Sequence, residues 1–251
     1  MENISKTANE KKSIIKIDLL LKITTPITCK EGRKVIGTGT GFFFRFNNIT
    51  YLVSNRHIFI NEKRNFFPDK LVIRLNLAGQ DTTQSGEIRF DLYESNSDKQ
   101  KWVELSKDID LAAIKIDDPV GFIYAALTEA NIAPSNYQLG LGEQVLVIGY
   151  PRGFYDEIHN LPITRNATVA SAYGIPFKKQ PFFLIDSKLH PGTSGSPVIT
   201  VPKHIINNPG GGFRITPEMN WRFLGVNSGE FGDLQLNAVW YSELILRMLK
   251  K

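Results

Sequence analysis

Apolar residues in this chain come in short runs separated by turn residues. Gly41–Phe46 (GFFFRF), Thr50–Ser54 (TYLVS), Lys70–Leu75 (KLVIRL), Gln144–Gly149 (QVLVIG), Thr168–Ser171 and Phe182–Ile185 are the clearest, each four to eight residues long. They are rich in Val, Ile, Phe and Tyr and are bounded by Gly, Asn, Asp or Pro, the pattern of β-strands and their turns. One stretch differs. Trp240 to Leu249 (WYSELILRML) sets Leu244, Ile245 and Met248 on one face at helical spacing, which predicts a C-terminal helix over residues 240–251. A Pro- and Asn-containing stretch between Ala125 and Gly140 divides the strands into two groups. The expected organisation is a polar tail (1–13), a first β unit (14–125), a second (126–239) and the helix, an all-β barrel or sandwich architecture.

Length and charge change this picture little. A chain of 251 residues buries enough surface to hold its core without staples. Thirty basic and 25 acidic residues give a net charge of +5, scattered in short pairs such as Lys178-Lys179. No basic stripe interleaved with stacking aromatics is present, so nucleic acid is not an expected partner. The start, MENISKTANEKKSIIKIDLLLKI, has Lys16, Asp18 and Lys22 inside its apolar part and does not read as a secretion signal or a membrane span. Cys29 is the single cysteine, which favours a reducing compartment and a structural thiol. The expectation is a cytoplasmic protein.

Three motifs carry chemistry. In the first, Gly39-Thr40-Gly41-Phe42-Phe43-Phe44 and Thr50-Tyr51-Leu52-Val53-Ser54 flank a turn at Asn47-Asn48, and the second strand delivers Asn55-Arg56-His57 just past its end. A general base belongs at such a place, on a rigid support and facing a cleft. His159, His190 and His204 lack that context. In the second motif, Asp108 and Asp110 precede the apolar run Leu111-Ala112-Ala113-Ile114. A carboxylate there is partly desolvated and wants a partner, for which a histidine N–H serves; spacing alone does not choose between the two aspartates. The third is His190-Pro191-Gly192-Thr193-Ser194-Gly195-Ser196-Pro197-Val198-Ile199, a serine in a glycine turn followed by a strand. Gly192 there leaves its N–H free for an oxyanion, beside that of Ser194. The order His, Asp, Ser is that of chymotrypsin-type barrels and differs from that of subtilisin-type and α/β-hydrolase enzymes.

These stretches resemble the trypsin-like serine peptidases, and within them bacterial Deg-type protease domains. The similarity rests on LVSNRHIF, DIDLAAIKI and HPGTSGSPVI, with support from Val147–Pro151 and Asn166–Ser171. It implies two packed antiparallel six-stranded β-barrels with a short C-terminal helix. It also implies a catalytic triad of His57, Asp110 and Ser194, with Asp110 chosen because it directly precedes the Leu-Ala-x-Ile run. The oxyanion hole falls to the backbone of Gly192 and Ser194. The resemblance further implies a polypeptide substrate, and no cofactor or metal. Substrate-binding candidates are Lys188, Leu189 and His190 at the pocket floor, and Asn227, Ser228 and Gly229 on the substrate-pairing strand. Lys188 or His190 facing the pocket favours an acidic substrate side chain; Leu189 favours an apolar one. Thr193 stands where zymogen-activated members have an aspartate, so control by loop ordering or a regulatory protein partner is expected in place of N-terminal insertion. No room is seen for an appended peptide-binding module, and the region between Ile199 and Trp221, with Pro209-Gly210-Gly211-Gly212, reads as an inserted loop. An esterase, or a binding scaffold with a misaligned triad, shares the same motifs.

Overall fold

The computed structural model describes residues 18–79, 81–95, 97–207 and 212–251. The tail expected over residues 1–13 lies outside the described residues, as do Pro209, Gly210 and Gly211.

The first half is antiparallel β-structure built on one long hairpin. Strand β1 (Thr24–Glu31) pairs with the thirteen-residue β2 (Lys34–Phe46), which turns into β3 (Ile49–Ser54). Asn47 and Asn48 make that turn at φ 49° and 62°. Two left-handed residues in succession match the right-handed twist of a hairpin, and asparagine tolerates them better than most residues. A single helical turn, α1 (Arg56–Phe59), follows β3. Then come β4 (Lys70–Leu77), β5 (Ser85–Asp91), β6 (Trp102–Glu104), β7 (Ala112–Ile116) and the short β8 (Phe122–Ile123). The sheet order is β5-β4-β1-β2-β3-β7-β6, with β8 on β4. This half therefore holds eight strands where six were expected, and its outer strands β5 and β6 share no ladder. The chain between those two strands turns back on itself through the Tyr93–Gln100 bridge, so its backbone groups pair locally.

The second half is a closed six-stranded barrel. Its strands are β9 (Gln144–Gly149), β10 (Ile163–Val169), β11 (Phe182–Asp186), β12 (Pro197–Thr200), β15 (Phe223–Glu230) and β16 (Leu236–Tyr241), in the order β10-β11-β16-β15-β12-β9. Between β12 and β15, β13 (Lys203–Asn207) and β14 (Phe213–Asn220) pair only with each other. The inserted loop expected here is thus a β-hairpin. Helix α2 (Glu243–Leu249) ends the chain and buries Leu244, Ile245 and Met248 as the periodicity predicts. Trp240 and Tyr241 are strand residues, because they complete the ladder of β16 with β11 and β15.

The triple phenylalanine of β2 shows how the halves meet. Successive side chains on a strand point to opposite faces. Phe43 enters the core of the first sheet, with Leu52, Phe59, Leu71 and Trp102. Phe42 and Phe44 enter the core shared with the second half, where Phe42 meets Phe223 edge-on at 5.4 Å. The strand is apolar on both faces because both are covered.

Candidate active site

His57 and Asp110 come from neighbouring ends of the first sheet. Ser54 ends β3, and the turn of α1 projects His57 from that end. Asp110 lies two residues before β7, which pairs with β3. Asp110 Oδ1 accepts the backbone N–H of His57 at 2.9 Å, and Oδ2 lies 2.7 Å from His57 Nδ1. Asn55 adds a clamp, its amide donating to the Asp110 carbonyl at 2.8 Å. Asp108, the local rival, is exposed on the preceding turn. The His57 and Asp110 side chains are about one quarter to one third exposed. Beside it, Arg56 grips Glu62 through two bonds of 2.8 and 2.7 Å and also reaches Glu104, which locks the turn that carries His57.

Asp110 also accepts from Ser228 Oγ at 2.6 Å. Burial by itself pushes the Asp110 carboxyl up. The hydrogen bond and charge of His57, the Ser228 hydroxyl and the His57 backbone N–H outweigh it, and the group is held below the usual carboxylate range. It is therefore ionised at neutral pH. A carboxylate can only accept, so the facing Nδ1 carries the proton and Nε2 is the basic nitrogen.

Ser194 sits half-buried in the turn between β11 and β12. Two glycines with positive φ shape this turn, Gly192 at 95° and Gly195 at 86°. A Cβ on Gly192 would lie 2.5 Å from the Tyr150 carbonyl, and one on Gly195 would lie 2.1 Å from both Ser54 Oγ and the Thr40 carbonyl. Only glycine satisfies both the dihedral and the space. The Pro191 carbonyl accepts the Arg152 N–H at 2.6 Å. In a trans peptide the N–H points opposite its carbonyl, so that bond aims the Gly192 N–H away from Arg152. The neighbouring amides are engaged: Thr193 N donates to His190 O, Gly195 N to Asn227 O and Ser196 N to Thr193 O. The N–H groups of Gly192 and Ser194 have no acceptor among the described residues.

One side chain ties this turn to the first sheet. Thr40, fully buried in β2, donates through Oγ1 to the Gly192 carbonyl at 2.7 Å and accepts the Tyr150 N–H at 3.0 Å. Its own N–H donates to the Ser194 carbonyl at 2.9 Å, and its carbonyl accepts from Ser54 Oγ at 2.7 Å. Thr40 was visible in the first motif only as a β-branched residue between glycines; nothing in the sequence marked its hydroxyl.

A cavity of about 440 Å³ joins these parts. It is lined by His57, Asp110 and Ser194, and by the sequence candidates Leu189, His190, Ser228 and Gly229. Lys188 stays outside it, exposed, with its carbonyl taken by Arg165. Asn227 also stays outside; its buried amide holds the Thr193 carbonyl at 3.0 Å. The β15–β16 ladder slips between Asn227 and Glu230, so the backbones of Ser228 and Gly229 stand out of register at the cavity edge. Asn61, Arg64 and Asn237 line the cavity too and were not singled out from the sequence. Asn237 carried a readable signal, a polar residue between apolar neighbours in a strand. His159 pairs with Asp156 at 2.8 Å and His204 lies in the β13–β14 hairpin. No metal-ligating cluster occurs among the described residues.

The fold resembles that of an HtrA-type protease, AlgW, solved with a tripeptide, at a TM-score of 0.58 and 14% identity over 92% of this chain and 60% of that one. It also resembles the Rv3671c protease of M. tuberculosis in its active form, at 0.54 and 17% identity over 92% of this chain and 81% of that one. The serine endoprotease of Yersinia pestis gives 0.54 and 14% identity, over 92% and 62%. A curated relative from Synechocystis sp., named as serine protease HhoA, is 26% identical over 181 residues. That match covers 72% of this chain, which spans 38% of the relative's length. Residues 39–206 match the family model of the trypsin-like peptidase domain, more than half of the chain, and the chain belongs to that family of serine proteases.

Proposed function

We propose that this domain hydrolyses peptide bonds through an acyl-enzyme, with Ser194 as nucleophile, His57 as general base and acid, and Asp110 as the group that orients and stabilises the imidazolium. Ser194 Oγ attacks the substrate carbonyl and its proton passes to His57 Nε2. The same proton then goes to the leaving amine as the C–N bond breaks, and water repeats the sequence to release the acid and restore Ser194. The oxyanion is taken by the N–H groups of Gly192 and Ser194, each contributing on the order of 3 kcal/mol to lowering the barrier. The observation that carries this reading is the convergence, in one cavity, of the His57–Asp110 pair with Ser194 and two unengaged N–H donors. The out-of-register backbone of Ser228 and Gly229 offers an edge for an extended peptide.

Activation without an inserted N-terminal amine is part of the same proposal. Thr193 closes the turn internally, donating through its hydroxyl to the His190 carbonyl at 2.7 Å. Control then falls to the order of this turn or to a protein partner.

Labelling with a fluorophosphonate probe tests the mechanism. The wild type is expected to label and to cleave peptides, and Ser194→Ala to do neither. A wild type that labels no better than Ser194→Ala is the result a silent scaffold would give, and it would end this reading.

A further inference from the structure

The cavity beside Ser194 carries a polar group that the reaction does not use. Its wall from the second half includes Leu189, His190, Thr193, Ser228, Gly229 and Asn237. Asn237, in β16, lines the cavity although it is only 2% exposed. Its Nδ2 donates to the Ser187 carbonyl at 2.7 Å and the Gln235 carbonyl at 3.3 Å. Both partners can only accept, so the amide cannot be turned over, and Oδ1 remains as its free acceptor. No group among the described residues donates to Oδ1, and that atom keeps some accessible surface on a residue that lines the cavity.

The other hydroxyls of this wall are spent. Ser228 donates to Asp110, Thr193 donates to the His190 carbonyl, and Leu189 offers only apolar surface. At Gly229 a side chain would stand in open space, and glycine leaves the mouth clear. Among the described side chains Asp110 is the one carboxylate lining the cavity, and it already accepts three hydrogen bonds.

We propose that this cavity selects a substrate side chain ending in an uncharged hydrogen-bond donor, glutamine above all, at the residue whose carbonyl Ser194 attacks. The proposal rests on the peptidase reading of Ser194. A terminal carboxamide donates to Asn237 Oδ1 and carries no charge that needs a partner. Glutamine reaches further along the cavity than the shorter asparagine or serine. An apolar side chain of the same length buries Oδ1 without a donor, a loss of about tenfold or more. A glutamate sets acceptor against acceptor at Oδ1, and its carboxylate is drawn instead to Arg64 or a His190 N–H elsewhere on the lining. A lysine or arginine finds no free carboxylate among the described side chains of the lining and meets Arg64 and His190 there.

Glutamine, glutamate and methionine are close in length and differ at the tip, which makes the test. A randomised peptide library is digested with the wild type and the cut sites are read by mass spectrometry. Glutamine is expected before the cut about tenfold more often than glutamate or methionine, after correction for its abundance. In Asn237→Leu the preference is expected to pass to methionine and leucine. Cutting after methionine or glutamate as often as after glutamine overturns the proposal and leaves the peptidase reading standing; the wild type alone decides this, should Asn237→Leu fold poorly. A glutamine preference that survives in a folded Asn237→Leu also overturns it. Cleavage that persists in Ser194→Ala, or no cleavage at all, strikes the peptidase reading first and this one with it.

Discussion

Thr40 is where single-residue chemistry bears most on the site. Among the described residues its hydroxyl is the only donor to the Gly192 carbonyl, and it also receives the Tyr150 N–H, both in fully buried surroundings. Valine has the same shape but neither donates nor accepts, so Thr40→Val leaves two buried backbone groups unpaired at about 1–3 kcal/mol each. Part of that cost falls on the Gly192–Thr193 peptide, which lies between the two proposed oxyanion donors. The expected result is a fall in kcat of about tenfold or more at nearly constant KM, with recovery in Thr40→Ser. Steady-state kinetics on one peptide substrate, beside thermal melts of the three proteins, checks it. A purely structural role would lower the melting temperature of Thr40→Val and leave the kcat of the folded fraction intact. Residue identity alone conveyed little of this, because a threonine between glycines in a strand reads the same whether its hydroxyl meets a carbonyl or water.

Among the elements, the β13–β14 hairpin is the least tied to the rest. Its strands ladder only with each other, Ile215 and Met219 stand mostly exposed, and the Thr200–Arg222 bonds close the barrel below it. Lys203 and Asn220 face each other at its base, so a two-residue Asn-Gly turn can join positions 202 and 221. Replacing residues 203–220 in this way is expected to leave kcat/KM within about twofold and the barrel folded, since surface excursions are tolerated when little buried contact is lost. Kinetics and circular dichroism read the outcome, and a collapse of activity would assign the hairpin a part in the site. The sequence suggested a loop here because Pro and Gly in its middle dominate the local signal, whereas hairpin pairing depends on a partner strand. The same limit applies to α2. Trp240 and Tyr241 fit a helical pattern, and the ladders with β11 and β15 claim them for β16.

At the scale of the whole molecule, the site exists only where the two halves touch. His57 and Asp110 belong to the first sheet and Ser194 to the turn leading into the second barrel, and the contact of Phe42 with Phe223 underlies their junction. Phe223 is fully buried, and its carbonyl accepts the Ala133 N–H at 3.0 Å from the connecting segment. Phe223→Ala opens a cavity at this junction and is expected to lower stability by about 3–5 kcal/mol. Urea unfolding is expected to show an earlier midpoint with an unchanged slope. A change in slope, or two separate transitions, would mean that the halves hold together by other means.

The sequence by itself determined the strand content, the asparagine turn before β3, the apolar face of α2, and the three stretches that meet in the cavity. Each of these is written in local order: period-two burial, turn chemistry, or a glycine where a side chain would collide. The choice of Asp110 over Asp108 came from the family resemblance and not from spacing; only the tertiary structure turned Ser228 to Asp110, removed Lys188 from the cavity, set Asn237 on its lining and tied Thr40 to the Ser194 turn. Those placements depend on which atoms face one another across a junction of two sheets, and side-chain direction at such a junction follows from packing that no local stretch of chain specifies.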